Sequence, residues 1–161
     1  MSTEKSCKNV ASVWRWNKDN IMSLLKFSRE HRIHFSECDP AGIVFYPQYF
    51  VMFNNLIERW FDELLPEGFA GYILDQRFGL PTVHLEADFK AISRMGDDVQ
   101  LELQVERIGS KSLTLCQRCI SLDGELRMQV TQTYVTTSLI THQAIPIPDA
   151  LYSALTQQQP V

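Results

Sequence analysis

Cys38-Asp39-Pro40-Ala41-Gly42-Ile43-Val44-Phe45-Tyr46-Pro47 runs without a break into residues 48–65, a stretch with helical periodicity. Phe53, Leu56, Ile57, Trp60, Phe61 and Leu64 recur three and four positions apart, which places them on one helix face. Asn54, Asn55, Glu58, Arg59, Asp62 and Glu63 make a narrower polar stripe, and residues 49–53 are apolar throughout. Pro47 suits a first helical turn, where its missing N–H would have no partner anyway. Pro66 and Gly68 end the helix. A helix apolar over more than half its circumference has to be covered by another element.

The cover is predicted downstream. After an irregular stretch to Gly79, Val83, Leu85, Ala87 and Phe89 alternate with polar residues, as a strand with one buried face does. Gly96-Asp97-Asp98 turns the chain into a second strand carrying Val99, Leu101, Leu103 and Val105. Gly109-Ser110 and Asp123-Gly124 then separate long strands over residues 112–122 and 125–137, with hairpin turn chemistry. Residues 144–155 are proline-punctuated and end in a short helix. Upstream, Arg32-Ile33-His34-Phe35-Ser36 alternates and predicts a first strand. The expected class is α+β, an antiparallel sheet wrapped around one long central helix. Residues 1–30 are expected to form a poorly ordered arm, 31–156 the domain and 157–161 a polar tail. Met22 is an alternative start, because residues 22–26 open directly onto the folded region.

Composition narrows the partners. The 161 residues carry a net charge of −4; residues 1–32 hold seven Lys/Arg and three acids, a net +4 that leaves −8 on the rest. An acidic body argues against nucleic acid as a partner. No apolar run is long enough for a leader or a membrane span, so a cytoplasmic protein with no membrane partner and four free thiols is expected.

Asp39 is the first chemical candidate. Pro40 holds it extended and Gly42 permits a turn, so the carboxylate can fold back over the helix start, where unpaired N–H groups and about half a positive charge polarise a carbonyl. As an Asp before Pro, it is equally a turn or capping residue. Cys38 lacks a histidine placed to activate it and reads as a packed thiol. Cys116-Gln117-Arg118-Cys119 lies within a strand, where residues three apart face opposite ways, and no second Cys/His pair completes a zinc site; no metal is expected. The four histidines read as surface residues. Glu58 and Glu63 are candidate bases or a solvated stripe. Lys111, with Arg107 nearby, is a phosphate-binding candidate or simply a basic turn.

Three stretches resemble the 4-hydroxybenzoyl-CoA thioesterase family of hotdog-fold proteins: residues 35–50 with Asp39-Pro40-Ala41-Gly42 and Tyr46; Gly79-Leu80-Pro81 with Ala87-Asp88-Phe89 and Gly96-Asp97-Asp98-Val99; and Glu106-Arg107 to Lys111-Ser112-Leu113, with one extra residue in the turn. The resemblance spans about residues 31–140. It implies a thioesterase hydrolysing an acyl-CoA, with Asp39 as nucleophile or general base and the Tyr46 backbone N–H polarising the carbonyl. Phe45 and Asn54 would contact the acyl part, and Lys111 and Arg107 the CoA phosphates. CoA would enter as part of the substrate, with no separate cofactor. The family's assembly implies a homodimer or homotetramer with shared sites. At Asn54, eight residues beyond Tyr46, members devoted to 4-hydroxybenzoyl-CoA have an acid; an amide can still hydrogen-bond a phenol. An aromatic acyl-CoA is the expected substrate. Short- or medium-chain aliphatic acyl-CoAs are the alternative, and a non-hydrolytic acyl-CoA or acyl-carrier binding module is a third reading.

Overall fold

The computed structural model describes residues 26–156, and its central element is α1, Tyr46–Leu64. The helix begins at Tyr46 because Phe45 is extended (φ −68°, ψ 120°) and Pro47 occupies the first turn; it ends where Leu65 returns to extended geometry. Its buried face is Tyr49, Met52, Phe53, Leu56, Ile57, Trp60 and Phe61, the predicted stripe widened at the N-terminal end. Phe61 is fully buried, and truncating such a ring to alanine costs about 3–5 kcal/mol.

The cover is a five-stranded antiparallel sheet of β1 (Lys26–Arg32), β3 (Thr82–Phe89), β4 (Asp98–Ile108), β5 (Ser112–Ser121) and β6 (Leu126–Val135), in the order β1-β4-β5-β6-β3. Val99, Leu101, Leu103 and Val105 of β4 and Leu113, Leu115 and Cys119 of β5 turn buried side chains into the core. A two-stranded ribbon pairs β2 (Phe78–Gly79) with β7 (Thr137–Ser138). The C-terminal helix α3, Asp149–Thr156, buries Leu151 and Leu155.

Two elements depart from the sequence reading. The first strand is Lys26–Arg32 rather than residues 32–36, so it begins inside the stretch expected to be an arm. Only Phe27 in it is buried, so there was little alternation to detect. Ion pairs to β4, Lys26 to Glu102 at 2.9 Å and Arg32 to Asp98 at 2.7 Å, help hold this edge strand instead. Residues 35–37 form a 3-10 turn. The stretch read as irregular contains α2, Gly68–Leu74. Its two glycines weaken any local helical signal, and packing supplies the rest: Phe69 and Tyr72 stack edge-on against Phe61 at 5.4 and 5.2 Å. Cys38 and Cys119 are free thiols, whereas Cys116 is disulfide-bonded, which corrects the expectation of free thiols there. The Met22 alternative, Cys7, the remainder of the arm and the tail lie outside the described residues.

Candidate active site at the helix start

Residues 38–44 fold back on themselves as a tight hairpin. Cys38 bridges Val44, the Asp39 N–H donates to the Ile43 carbonyl at 2.9 Å, and the Gly42 N–H donates to the Asp39 carbonyl at 2.9 Å. Gly42 makes the turn at φ +75°, a region that side chains with a Cβ rarely enter. The Asp39 carboxylate accepts from the Ala41 N–H at 2.8 Å. Asp39 therefore lies beside Ile43, three residues before the helix start along the returning arm of the hairpin.

The hairpin is pinned to the connection between β3 and β4. Ile43 bridges Arg94, the Val44 N–H donates to the Ser93 carbonyl at 3.0 Å, and the Met95 N–H to the Gly42 carbonyl at 3.0 Å. Glu37 secures the other side. Its carbonyl accepts from the Phe45 N–H at 2.9 Å, while its carboxylate takes the His34 N–H at 2.7 Å and His31 Nε2 at 2.9 Å. His31 is thus a half-buried structural partner, not the surface residue expected.

At the helix start, Gln48 donates to the Phe45 carbonyl at 2.8 Å, and Pro47 has no N–H. Among the described residues, no backbone carbonyl accepts from the Tyr46 N–H. That amide, at the positive end of the helix dipole, is free to bind a substrate oxygen.

Beside it opens a cleft of about 280 Å³ lined by Ile43, Val44, Tyr46, Tyr49, Phe89 and Ser93, among others. Tyr46 and Tyr49 lie 6.2 and 6.1 Å from the Phe89 ring. At the buried floor, the Tyr49 hydroxyl donates to Ser93 Oγ at 3.0 Å, and burial pushes the Tyr49 phenol up. Asp39 does not itself line the cleft; the hairpin that carries it forms the wall through Ile43 and Val44. Burial, followed by the Glu37 and Asp39 carboxylates, raises the Cys38 thiol. A raised thiol holds less of the nucleophilic thiolate, which supports reading Cys38 as a packed thiol.

The other candidates are spread out. Phe45 is exposed, edge-on to Tyr46 at 5.5 Å. Asn54 lies about 12 Å further along α1, donates to Glu58 at 3.0 Å, and borders a separate small cavity with Ile57, Phe61, Leu80 and Tyr134. Glu63 pairs with Arg29 of β1, so part of the polar stripe anchors the first strand. Lys111 and Arg107 are exposed at the β4–β5 turn, with Lys111 Nζ donating to the Ala144 carbonyl at 3.4 Å. Phe89 is opposite Met128, and Met128 opposite Cys119, so Lys111 is roughly 25 Å along the sheet from the cleft. One chain therefore does not bring the basic pair to the helix start.

Glu37, Phe89 and Ser93 are residues that the sequence reading did not single out. Phe89 was visible as one member of an alternating strand and of the second stretch that carries the resemblance, without a role at the site. Ser93 and Glu37 had no signal, because their roles come from the pairing of the hairpin with residues far away in the chain. Among the described residues there is no group of three or more His, Cys, Asp or Glu arranged to hold a metal, and no helix long and apolar enough to cross a membrane.

Residues 33–155 match the family model of the thioesterase-like superfamily. The chain belongs to that superfamily. Its chemistry is therefore that of a thioester hydrolase, and its sheet around a central helix is the hotdog fold. Among solved structures it is similar to a 1,4-dihydroxy-2-naphthoyl-CoA thioesterase from Synechocystis, at 21% identity over 84% of this chain and 99% of that one, with a TM-score of 0.75. A gentisyl-coenzyme A thioesterase gives 25% identity over 78% and 99% of the two chains, TM-score 0.69. A thioesterase superfamily protein from Jannaschia sp. CCS1 gives 27% over 84% and 94%, TM-score 0.74. Among curated proteins, none matches the chain.

Proposed function

We propose that this thioesterase hydrolyses an aromatic acyl-CoA, of benzoyl or hydroxybenzoyl type, to the free acid and CoA. The observation that carries the reading is the unclaimed Tyr46 N–H at the mouth of an aromatic cleft, with the Asp39 hairpin as the cleft wall. A thioester carbonyl bound at that amide develops negative charge during attack, and such a donor is typically worth about 10²–10³ in rate. Asp39 acts on the carbonyl carbon as nucleophile or activates a water as general base. The Tyr46 and Tyr49 rings, edge-on and tilted to Phe89, favour a planar acyl group by giving the cleft an aromatic lining. The resemblance to the 4-hydroxybenzoyl-CoA thioesterase family supports the same reading, as do the aromatic substrates in the names of two similar structures.

The working unit is a homodimer or a higher homo-oligomer. β3 is an edge of the sheet, and Val83, Leu85 and Phe89 on it are 59%, 41% and 52% exposed; a long apolar edge strand is a template for pairing with a second copy. A partner would also relieve the separation of Lys111 and Arg107 from the helix start, by presenting its own basic turn to the CoA phosphates. Asn54 would meet the acyl group only across such an assembly.

Release of free CoA thiol from a panel of aromatic and aliphatic thioesters tests this function. The expected order is aromatic above short- and medium-chain aliphatic. Higher kcat/KM on aliphatic chains would overturn the aromatic preference, and binding of every thioester without thiol release would overturn hydrolysis in favour of a binding module. Light scattering is expected to give at least twice the chain mass.

A further inference from the structure

Glu37 stands between the two groups that hydrolysis needs. It is two residues before Asp39 along the chain, and its carbonyl accepts the Phe45 N–H at 2.9 Å, one residue before Tyr46. That bond occupies the Phe45 amide and leaves the Tyr46 amide as the free donor at the helix start. A shift of Glu37 therefore moves the carboxylate relative to the amide.

Packing does little to fix the turn that holds Glu37. Residues 35–37 form one 3-10 turn, closed by the Glu37 N–H on the His34 carbonyl at 3.1 Å, and Phe35 in it is 80% exposed. The carboxylate holds it instead, taking the His34 N–H at 2.7 Å and His31 Nε2 at 2.9 Å. Only 13% of the Glu37 side chain and 23% of that of His31 are exposed. A carboxylate this far out of water is costly unless its partners replace the lost hydration, and here the partner ring is fixed to the sheet. His31 is on β1 opposite Val99. Two residues on, the Ile33 N–H donates to the Asp97 carbonyl at 2.8 Å and the Ile33 carbonyl accepts from the Gly96 N–H at 2.9 Å. One carboxylate thus ties the turn before Asp39 to the edge strand.

Resting on the thioesterase reading above, we propose that Glu37 is a positioning residue for hydrolysis: held by His31, its carboxylate fixes the 35–37 turn and with it the spacing between the Asp39 carboxylate and the Tyr46 amide. Glu37 acts through those two groups and not on the substrate. Its effect falls on the chemical step, where a misplacement of about 1 Å can cost about 10²-fold in rate. Glutamine keeps an oxygen for the His34 N–H and an NH₂ that can donate to a neutral His31 ring. Alanine keeps neither.

Thiol release by wild type, Glu37→Ala, Glu37→Gln and His31→Ala, on the best thioester of the panel, tests this role. Glu37→Ala is expected to lower kcat by about 10- to 100-fold and to leave KM within about threefold. Glu37→Gln should recover most of that loss, and His31→Ala, which leaves the carboxylate with the His34 amide alone, should fall between. In an Asp39→Asn background Glu37→Ala should lower kcat by less than about threefold, because the spacing to a carboxylate no longer counts. A loss confined to KM, no recovery in Glu37→Gln, or the same fold loss with and without the Asp39 carboxylate would overturn the positioning role and leave hydrolysis standing. Should Glu37→Ala show no cooperative melt, His31→Ala alone and over Asp39→Asn decides between the same outcomes. Wild type inactive on every thioester would overturn the thioesterase reading and this inference together.

Discussion

The Asp39 amide donates to the Ile43 carbonyl at 2.9 Å, and this one bond sets the residue that carries the carboxylate beside Ile43, which lines the cleft at the helix start. Everything proposed for the site depends on the hairpin that the bond closes. Its turn residue, Gly42, has nothing within 4 Å of where a Cβ would sit, but its φ is +75°. The cost of a side chain there is conformational rather than steric.

Gly42→Ala is accordingly predicted to lower stability by about 1–2 kcal/mol and to reduce kcat/KM further than that loss implies, because Asp39 shifts with the loop. Thermal melts and steady-state kinetics on the same preparation separate the two effects. Activity unchanged beside a lower Tm would detach the hairpin geometry from catalysis.

Tyr46 separates side chain from backbone. Tyr46→Ala is expected to lower kcat by less than about tenfold, since the N–H remains. Tyr46→Pro removes the N–H at a helix position that tolerates proline, after a residue already extended at ψ 120°. A loss of about 10²–10³ in kcat with a native circular dichroism spectrum is predicted.

The long helix and the four strands after it were legible because their apolar residues recur at 3.6 and at 2 residues; on β3 that pattern does not mark a buried face, since Val83, Leu85 and Phe89 are exposed. β1 was placed late, since six of its seven residues avoid full burial and cross-strand ion pairs do the holding. α2 was missed because ring packing against Phe61, not local propensity, forms it. Asp39 and Tyr46 were found through a contiguous stretch. Ser93 and Phe89 reach the site only through tertiary pairing, which no local pattern encodes.

The free thiols offer a check on burial. Burial pushes Cys119 up to about 11 and also raises Cys38. At pH 8 the native protein should therefore be alkylated slowly at Cys38 and not measurably at Cys119 until it unfolds. Peptide mass mapping reads this directly, and prompt labelling of Cys119 in the native state would contradict its complete burial in the core.

The end of β1 should carry a pH signature. Arg32 donates to both oxygens of Asp98, at 2.8 and 2.7 Å, and this hydrogen bonding holds the Asp98 carboxyl below its ordinary value. A carboxyl depressed on folding stabilises above its unfolded pKa of about 3.9, and the gain is lost as pH falls through the lower folded value. The Tm gap between wild type and Asp98→Asn is thus predicted to be constant near neutrality and to close on acidification below about pH 4. A gap that widens in acid would contradict the assignment.

The most direct test of the account is the turnover number of Asp39→Asn on the best aromatic acyl-CoA, measured by thiol release on protein whose melt matches wild type. With the carboxylate acting as nucleophile or general base, kcat should fall by about 10²–10⁴ while KM changes little, because binding rests on the cleft and the Tyr46 amide. An Asp39→Asn variant within about threefold of wild type would contradict the central claim that the Asp39 carboxylate performs the chemistry.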